Sequence, residues 1–302
     1  MTQEFFITPA ADVDFSTRNF CALKHNLHEH ELLQLESLQG LAERLMPIEK
    51  CRFVKPDIKP DSAFWHESEP QDGRSLEAVF QNIEEPGSWI ALYDVQLDPI
   101  YDAFMKELMG YAEKHVTGQE EVRDVRGFIF ISAPPSVTPF HIDRENNFWL
   151  QVSGQKDLYL WDHRDERVVP RDVVSDFIWS GSLKAVKLND DAMQHASVFR
   201  SKPGDGAYFP STTPHMTRSD TDWTSPDDGV AISIGVVFYT DKTRREAYVH
   251  ACNRVLRKLG FRPRDPGESH LADSVKSLAG RFIVGGMRLF RGYKPTASFE
   301  KH

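Results

Sequence analysis

Cysteine is scarce in this chain of 302 residues, and the three that occur, Cys21, Cys51 and Cys252, lie far apart in the sequence. An odd number of widely spaced cysteines fits free thiols in a reducing compartment better than a disulfide framework. The N-terminus has no basic region followed by an apolar region, as a secretory signal would. We therefore expect a cytoplasmic protein.

Long apolar runs and nucleotide-binding motifs are also missing. The longest apolar run, residues 230–239, is too short to span a bilayer and is interrupted by Ser233 and Gly235. No phosphate-binding glycine loop, dinucleotide fingerprint, serine nucleophile elbow or Cys-x-x-Cys pair occurs. These absences argue against a transmembrane protein and against the enzyme classes that such motifs define.

Positive charge is in deficit except at the C-terminal end of the chain. The formal net charge is -9. Residues 241–302 carry 14 basic and 6 acidic side chains, whereas residues 1–240 carry 22 basic and 39 acidic side chains. An acidic body disfavours nucleic acid as a partner. We expect the basic tail to dock on its own body or on a second copy, with peripheral contact to an anionic membrane as the alternative.

Hydrophobic periodicity divides the chain into three parts. Residues 1–85 are predicted to be mostly helical. Residues 86–240 begin with a helix and continue from about residue 127 as short strands bounded by turn residues, including a strand over 184–188. Seven or eight such strands indicate a sandwich, jelly roll or small barrel.

The third part, residues 241–302, returns to helical spacing. Thr243 and Glu246 are predicted to form a capping box at its first helix. Residues 274–294 form a basic amphipathic segment, in which Gly280 and the pair at 285–286 disfavour one long helix.

The residues with a chemical role are predicted in the strand-rich part. His141 and Asp143 are two apart in a predicted strand, so their side chains share a face. His215 follows a Pro-Gly-Asp turn and a short strand, and is a candidate third ligand. Two imidazoles and one carboxylate leave coordination positions open, which is typical of non-haem Fe(II) oxygenases. The pattern alone is weak, because the chain has 12 histidines.

The run from Thr138 to Lys156 resembles the core of the JmjC-type, cupin-like Fe(II)/2-oxoglutarate oxygenases. In that family the His-x-Asp pair is followed by an asparagine, a Gln-x-x-Gly and a lysine, which correspond here to Asn147, residues 151–154 and Lys156. The resemblance covers residues 125–240 with specific motifs and is strongest toward bacterial cupin-like JmjC proteins. It implies a mainly β core, a double-stranded β-helix or jelly roll, with helical extensions at both ends.

The resemblance also implies a function, an Fe(II)- and 2-oxoglutarate-dependent hydroxylase acting on a protein side chain or a small metabolite. Helices that follow the barrel form dimers in some members, so a homodimer is expected. The implied iron ligands are His141, Asp143 and His215. The implied co-substrate contacts are Lys156 to the distal carboxylate, Thr138 and Asn147 beside it, and Tyr93 and Ser233 as further candidates. Candidates for substrate contact are Arg144, Trp149 and Trp161.

Two alternatives from other classes stay open. A non-catalytic cupin-fold regulatory protein would bind a metal or ligand without turnover, and would be expected to lose a ligand or Lys156. A plain cupin isomerase or dioxygenase usually presents His-x-His with a glutamate and a further histidine, whereas this chain has Asp143. Of the other histidines, His25, His28 and His30 are interpreted as surface polar residues and His163 as a turn or pocket-rim residue. His195 and His250 have no neighbours at the spacing of metal ligands.

Overall fold

The strands and helices are described from a computed structural model, which covers residues 4–11, 13–54, 58–63, 67–70, 73–118, 120–220 and 229–299. The strands are β1 (Ile7–Pro9), β2 (Cys21–His25), β3 (Cys51–Phe53), β4 (Trp89–Leu92), β5 (Val122–Ser132), β6 (Ser136–His141), β7 (Asn146–Ser153), β8 (Lys156–Leu160), β9 (Ser197–Ser201), β10 (Asp205–Phe209), β11 (His215–Ser219) and β12 (Ala231–Thr240). The helices are α1 (Leu35–Leu45), α2 (Leu76–Gln81), α3 (Pro99–Thr117), α4 (Arg171–Ser180), α5 (Asp241–Lys258) and α6 (His270–Arg291).

The strands form two antiparallel sheets. The larger sheet has the order β1-β2-β10-β7-β12-β5-β4-β3, and the smaller has the order β6-β11-β8-β9. Trp149 and Phe209 from the larger sheet pack against Leu158 and Leu160 from the smaller one, so the two sheets face each other. This is the predicted mainly β jelly-roll core with helical flanks, and the fold class is confirmed.

Alternation along the strands gives each sheet an inner and an outer face. On the larger sheet, Phe148, Ile234 and Phe238 point outward into a core shared with the N-terminal segments and α3. On the smaller sheet, Phe140 and Met216 point outward into a second core shared with α4, α5 and α6. The inner faces are left to enclose a small and partly polar interior.

The helix ends follow local capping chemistry. Asp98 caps α3 by accepting from the backbone N–H groups of Ile100 and Tyr101, at 3.0 and 3.3 Å. The capping box of α5 is formed by Thr240 and Thr243. The predicted pairing of Thr243 with Glu246 was therefore wrong, because the helix begins three residues earlier, directly at the end of β12.

Other differences concern short or glycine-containing segments. Residues 1–85 contribute β1, β2 and β3 to the larger sheet in addition to α1 and α2. The strand predicted over 184–188 does not form, and these residues are turn and coil between α4 and β9. The predicted break in the C-terminal segment is absent, since α6 runs unbroken through its glycines. Within the described residues, no helix has the length and apolar character needed to cross a membrane.

Candidate metal centre and co-substrate pocket

The two candidate histidine ligands meet where two neighbouring strands end. His141 is the last residue of β6, His215 is the first of β11, and the two are directly paired across the sheet. Their ring centroids are 4.0 Å apart. Residues more than 70 positions apart in the sequence are thus brought together by one strand register.

A β-bulge determines which side chains of β6 point inward. His215 pairs with His141, but Thr217 pairs with Thr138, so β6 has one more residue than β11 over this stretch. Thr138 and His141 would lie on opposite faces of a regular strand, and the extra residue brings both to the same face. Pro139 lies within the bulge, where its missing N–H does not interrupt the ladder.

Hydrogen bonds to the chain hold both imidazoles in one tautomer. His141 Nδ1–H donates to the Pro139 carbonyl oxygen at 2.7 Å, and His215 Nδ1–H donates to the Thr213 carbonyl oxygen at 3.0 Å. Each Nε2 therefore keeps its lone pair. Burial lowers the pKa of His215 to about 4, so this ring is a neutral donor at physiological pH.

Asp143 completes the cluster from the loop after β6. Its Oδ2 lies 4.0 Å from His141 Nε2 and 3.5 Å from His215 Nε2, and one ligand atom from each residue lies within 4.8 Å of the others. Its backbone carbonyl accepts from the Thr212 N–H at 2.8 Å, which joins the two ligand-bearing loops. Among the described residues this is the one group of three or more such side chains that could hold a metal ion.

Lys156 lies at the other end of the interior, where the chain crosses between sheets. It begins β8 directly after Gly154 and Gln155, while Leu160, four residues on, pairs with His215. Four residues correspond to about 13 Å along a strand. Lys156 is 1 % exposed. Burial lowers its pKa to about 8, and no carboxylate of the described residues forms an ion pair with it.

Buried polar atoms without partners lie on the inner face of the larger sheet. Asn147 Oδ1 and Ser233 Oγ have no hydrogen-bond partner among the described residues. The Asn147 side chain lies over Gly235, where an added Cβ would be 3.2 Å from its Oδ1. An unsatisfied buried polar atom is costly, so these two atoms indicate a ligand in the interior.

The other two predicted contacts also face the interior. Thr138 Oγ1 accepts from Thr217 Oγ1 at 2.9 Å, deep in the smaller sheet. Tyr93 directly follows β4, and its ring contacts Phe128 and Phe130 edge-on at centroid distances of 5.3 and 6.1 Å. Burial, reinforced by the charge of Asp143, raises the pKa of Tyr93. The structure thus brings all eight predicted site residues to one interior.

The candidates for substrate contact are separated by the fold. Trp149 is inside, packed with Leu158 and Leu160. Trp161 is fully buried in the outer core and donates its indole N–H to the Ala192 carbonyl oxygen, so that expectation was wrong. Arg144 turns toward α4, where its guanidinium lies 5.8 Å from the Phe177 ring centroid.

Some residues of the site were not identified from the sequence. Gly235 makes room for Asn147, and the carbonyl groups of Pro139 and Thr213 orient the two imidazoles. A proline inside a predicted strand was a signal for the bulge. Backbone carbonyl groups leave no such signal in a sequence.

Comparisons with known proteins find similarity to solved structures but none in sequence. No family model and no curated protein sequence matches the chain. A structure of YcfD, a ribosomal oxygenase from Escherichia coli, matches 93% of this chain and 67% of its own, with 16% identity and a TM-score of 0.48. Its complex with cobalt and 2-oxoglutarate matches 92% of this chain and 65% of its own, with 17% identity and a TM-score of 0.46.

A second solved structure is matched over a larger share of its own length. SnoK, a non-heme alpha-ketoglutarate-dependent carbocyclase from nogalamycin biosynthesis, is matched over 87% of this chain and 97% of its own, with 14% identity and a TM-score of 0.46. This chain therefore spans about two thirds of the ribosomal oxygenase and nearly all of the carbocyclase. With identities this low, the chemistry has to be argued from the chain's own side chains.

Proposed function

We propose that this protein is an Fe(II)- and 2-oxoglutarate-dependent oxygenase, and specifically a hydroxylase. The observation that carries the proposal is a polar interior with two distinct ends. One end has three converging ligand atoms, from His141, Asp143 and His215. The other has the buried ammonium group of Lys156, for which the described residues offer no counter-charge.

The three ligands suit Fe(II). Two neutral imidazoles and one carboxylate on one side of an ion leave room for a chelating co-substrate and dioxygen. Fe(II) with 2-oxoglutarate supplies the oxidising power to insert one oxygen atom into a C–H bond. The Nδ1–H bonds to Pro139 and Thr213 aim both Nε2 atoms at the cluster, as outer-shell partners of metal-bound histidines commonly do.

The remaining interior suits an elongated dianion. Lys156 would neutralise the carboxylate distant from the metal ligands, and the Ser233 hydroxyl would donate to the same molecule. Asn147 would donate to it through Nδ2, with its side-chain amide in the flipped orientation. The apolar side chains of Trp149, Leu160 and Phe209 exclude water from this space, which strengthens each of these interactions.

Succinate release tests the reaction. We expect the purified protein to form succinate from 2-oxoglutarate with Fe(II), ascorbate and oxygen, and to lose at least about 100-fold of this activity as His141→Ala or Asp143→Ala. His28→Ala, an exposed histidine away from the cluster, serves as the matched control. Unchanged succinate formation in His141→Ala would contradict the proposal.

Anaerobic titration separates the enzyme from a non-catalytic cupin-fold binding protein. We expect Fe(II) binding to require His141, Asp143 and His215, and 2-oxoglutarate binding to require Lys156. Tight 2-oxoglutarate binding that survives Lys156→Ala would overturn the co-substrate assignment. Metal and co-substrate binding without succinate formation would favour the regulatory alternative.

We propose that the substrate is a protein side chain or a small metabolite that enters beside Asp143. The Asp143 side chain is 30% exposed, compared with 11% and 7% for His141 and His215. The cluster is therefore most open on that side. Mass spectrometry of a lysate treated with the wild-type protein should reveal a product heavier by one oxygen atom. A lysate treated with Asp143→Ala should lack this product.

We further propose a homodimer formed through α6. The residues at 271, 275, 278, 282, 285 and 289 repeat at alternating steps of four and three, the spacing of a coiled-coil seam. Leu271, Val275 and Phe282 are 83%, 71% and 74% exposed, so the seam has no partner among the described residues. This spacing favours a second helix over a membrane surface.

Light scattering after size-exclusion chromatography tests the dimer. The wild type is expected at about twice the mass of 34.6 kDa, and Leu278→Glu with Phe282→Glu is expected to be monomeric. Leu259→Glu, an exposed leucine beyond the end of α5, is the control. A monomeric wild type that binds anionic vesicles through these residues would favour the membrane alternative instead.

A further inference from the structure

A second cavity lies outside the barrel, on the opposite side of β7 from the metal cluster. It measures about 230 Å³ and lies between the strand ends, α4, α5 and the loop before α6. Consecutive residues of β7 point to opposite faces. Asn147 faces the interior, whereas Asn146 is paired with the outward-facing Phe238 and lines this cavity.

Three polar side chains of the cavity have hydrogen-bonding capacity to spare. Asn146 is 2% exposed, and its Nδ2 has no acceptor among the described residues. The Ser175 hydroxyl donates to the Arg171 carbonyl oxygen at 3.0 Å and accepts from Arg257 Nη1 at 2.6 Å and from His250 Nδ1–H at 3.1 Å. This arrangement leaves the His250 Nε2 lone pair available. Glu246 forms no hydrogen bond or ion pair with the described residues.

Three of the four cations that line the cavity are already engaged. Arg171 pairs with Glu166, Asp265 and Glu268, at 2.6, 2.8 and 3.2 Å. Arg164 pairs with Asp162 at 2.8 Å, and Lys242 pairs with Glu120 at 3.2 Å. Among the described lining residues, Glu246 and Arg18 form no ion pair; Arg18 is exposed at the rim, so Glu246 is the unpaired charge deeper in the cavity.

We propose that this cavity is a binding site for a small organic cation, such as a primary amine or a guanidinium compound. The Glu246 carboxylate would be its counter-charge, and His250 Nε2 would accept a further N–H of the ligand. Asn146 Nδ2–H would donate to an oxygen atom of a ligand that has one. Such a ligand would pair the carboxylate of Glu246, and one that carries an oxygen atom would also satisfy the buried Asn146 Nδ2.

The occupant would lie against the loops that bear the metal ligands. Asn146 Oδ1 accepts from the Ser211 N–H at 3.0 Å, and Ser211 Oγ donates to the Arg144 carbonyl oxygen at 2.8 Å. Thr212, also a lining residue, donates its N–H to the Asp143 carbonyl. The site is thus distinct from the proposed co-substrate pocket but shares its supporting loops.

The charge state of Glu246 sets a pH dependence. Burial, with smaller contributions from Glu120 and Asp273, raises the pKa of Glu246 to about 7, while Lys242 and Arg18 act to lower it. Burial keeps the facing imidazoles neutral, with the pKa of His163 lowered to about 4 and that of His250 to about 3. Glu246 is therefore mostly ionised at pH 8 and mostly protonated at pH 6, so cation affinity should fall roughly tenfold between them.

Calorimetric titration with agmatine and with putrescine tests the site in the full chain. We expect the wild type to bind at pH 8 and its affinity to fall roughly tenfold at pH 6. At pH 8, Glu246→Gln should bind at least tenfold more weakly than the wild type. Glu268→Gln is the matched control, because it removes a carboxylate of the same cavity that Arg171 already pairs with. No binding of either probe at 10 mM, or equal affinity in Glu246→Gln and wild type, would overturn the proposal. Neither result depends on succinate formation, so the proposed oxygenase activity is tested separately.

Discussion

Lys156 carries a charged group in a buried position. An ammonium group that is 1% exposed and has no counter-charge among the described residues destabilises the folded protein. The spacing to His141 identified this lysine in the sequence, through a family resemblance. Its burial and the lack of a partner could not be predicted, because both depend on how the two sheets close over it.

Replacing Lys156 should stabilise the protein while abolishing co-substrate binding. Burial lowers the pKa of Lys156 from 10.5 to about 8, so between these values the unfolded chain binds more protons than the folded one. The free energy of unfolding therefore rises with pH across this window, and below pH 8 the full cost of about 3 kcal/mol is present.

Urea denaturation of Lys156→Met measures this cost. We expect the variant to be about 2–3 kcal/mol more stable than the wild type at pH 7, with the difference shrinking toward pH 10. A less stable variant at pH 7 would mean that the ammonium group has a stabilising partner within the protein.

Gly235 controls the position of Asn147. A Cβ at residue 235 would be 3.2 Å from Asn147 Oδ1 and 3.4 Å from Nδ2, so Gly235→Ala should shift the amide. We expect the dissociation constant of 2-oxoglutarate to rise roughly three- to tenfold, the effect of losing one hydrogen bond. Gly110→Ala in α3, where an added Cβ meets nothing within 4 Å, is the control. Equal affinities in both variants would remove Asn147 from the proposed pocket.

At the scale of elements, α5 and α6 pack so closely that one glycine is required. A Cβ at residue 280 would overlap the Tyr248 carbonyl oxygen, whereas one at residue 286 would meet nothing within 4 Å. Glycine lowers helix propensity at both positions, but only at residue 280 does it allow α5 and α6 to pack closely. This explains why α6 forms one helix where the sequence predicted a break.

Two of the three glycines of α6, Gly280 and Gly286, should therefore respond in opposite directions to alanine. We expect Gly280→Ala to lower the free energy of unfolding by about 2–4 kcal/mol because the helices must separate. Gly286→Ala should raise it by about 0.5–1 kcal/mol through helix propensity. Urea denaturation of both variants distinguishes these effects, and equal changes would contradict the close approach.

Strands were predictable where alternation was long and turn residues marked the ends. This holds for β5, β7, β8 and β12, where the sequence predicts strands over residues 127–133, 148–152, 157–161 and 230–240. The three-residue strands β1 and β3 are too short to show an alternation of apolar and polar residues. The sequence predicts a loop that ends at His215, where the structure has the start of β11. The strand predicted over 184–188 had an apolar pattern, but it has no neighbouring strand to pair with. Pairing partners and bulges are tertiary properties that a local pattern does not contain.

At the scale of the whole molecule, the basic tail docks on the acidic body, one of the two arrangements expected from charge. Lys242 pairs with Glu120, Arg244 with Asp124, and Arg254 with Asp176. These ion pairs lie at the edge of the packed helices, where each contributes at most about 1 kcal/mol. The larger contribution comes from apolar side chains of α5 and α6 that complete the outer core beside α4.

A chain that ends at residue 240 should therefore fail to fold cooperatively. It would lose Ala247, Ala251, Val284 and Phe299 from the outer core and expose Trp179 and Met216. We expect aggregation, or a broad urea transition, in comparison with a single steep transition of the full chain. An unchanged transition would show that residues 1–240 fold without residues 241–302, and would support the boundary predicted there from the sequence.

The connection between β8 and β9 has a consequence for how such a protein can diverge. The chain leaves the smaller sheet at Leu160 and returns at Ser197, and these two residues are paired with each other. The intervening segment begins and ends at this one pair of residues, so its exposed loops can change in length without shifting β8 against β11 and His215, while α4 has to keep its packing in the outer core. A new binding surface can therefore arise in these loops while the metal ligands keep their positions.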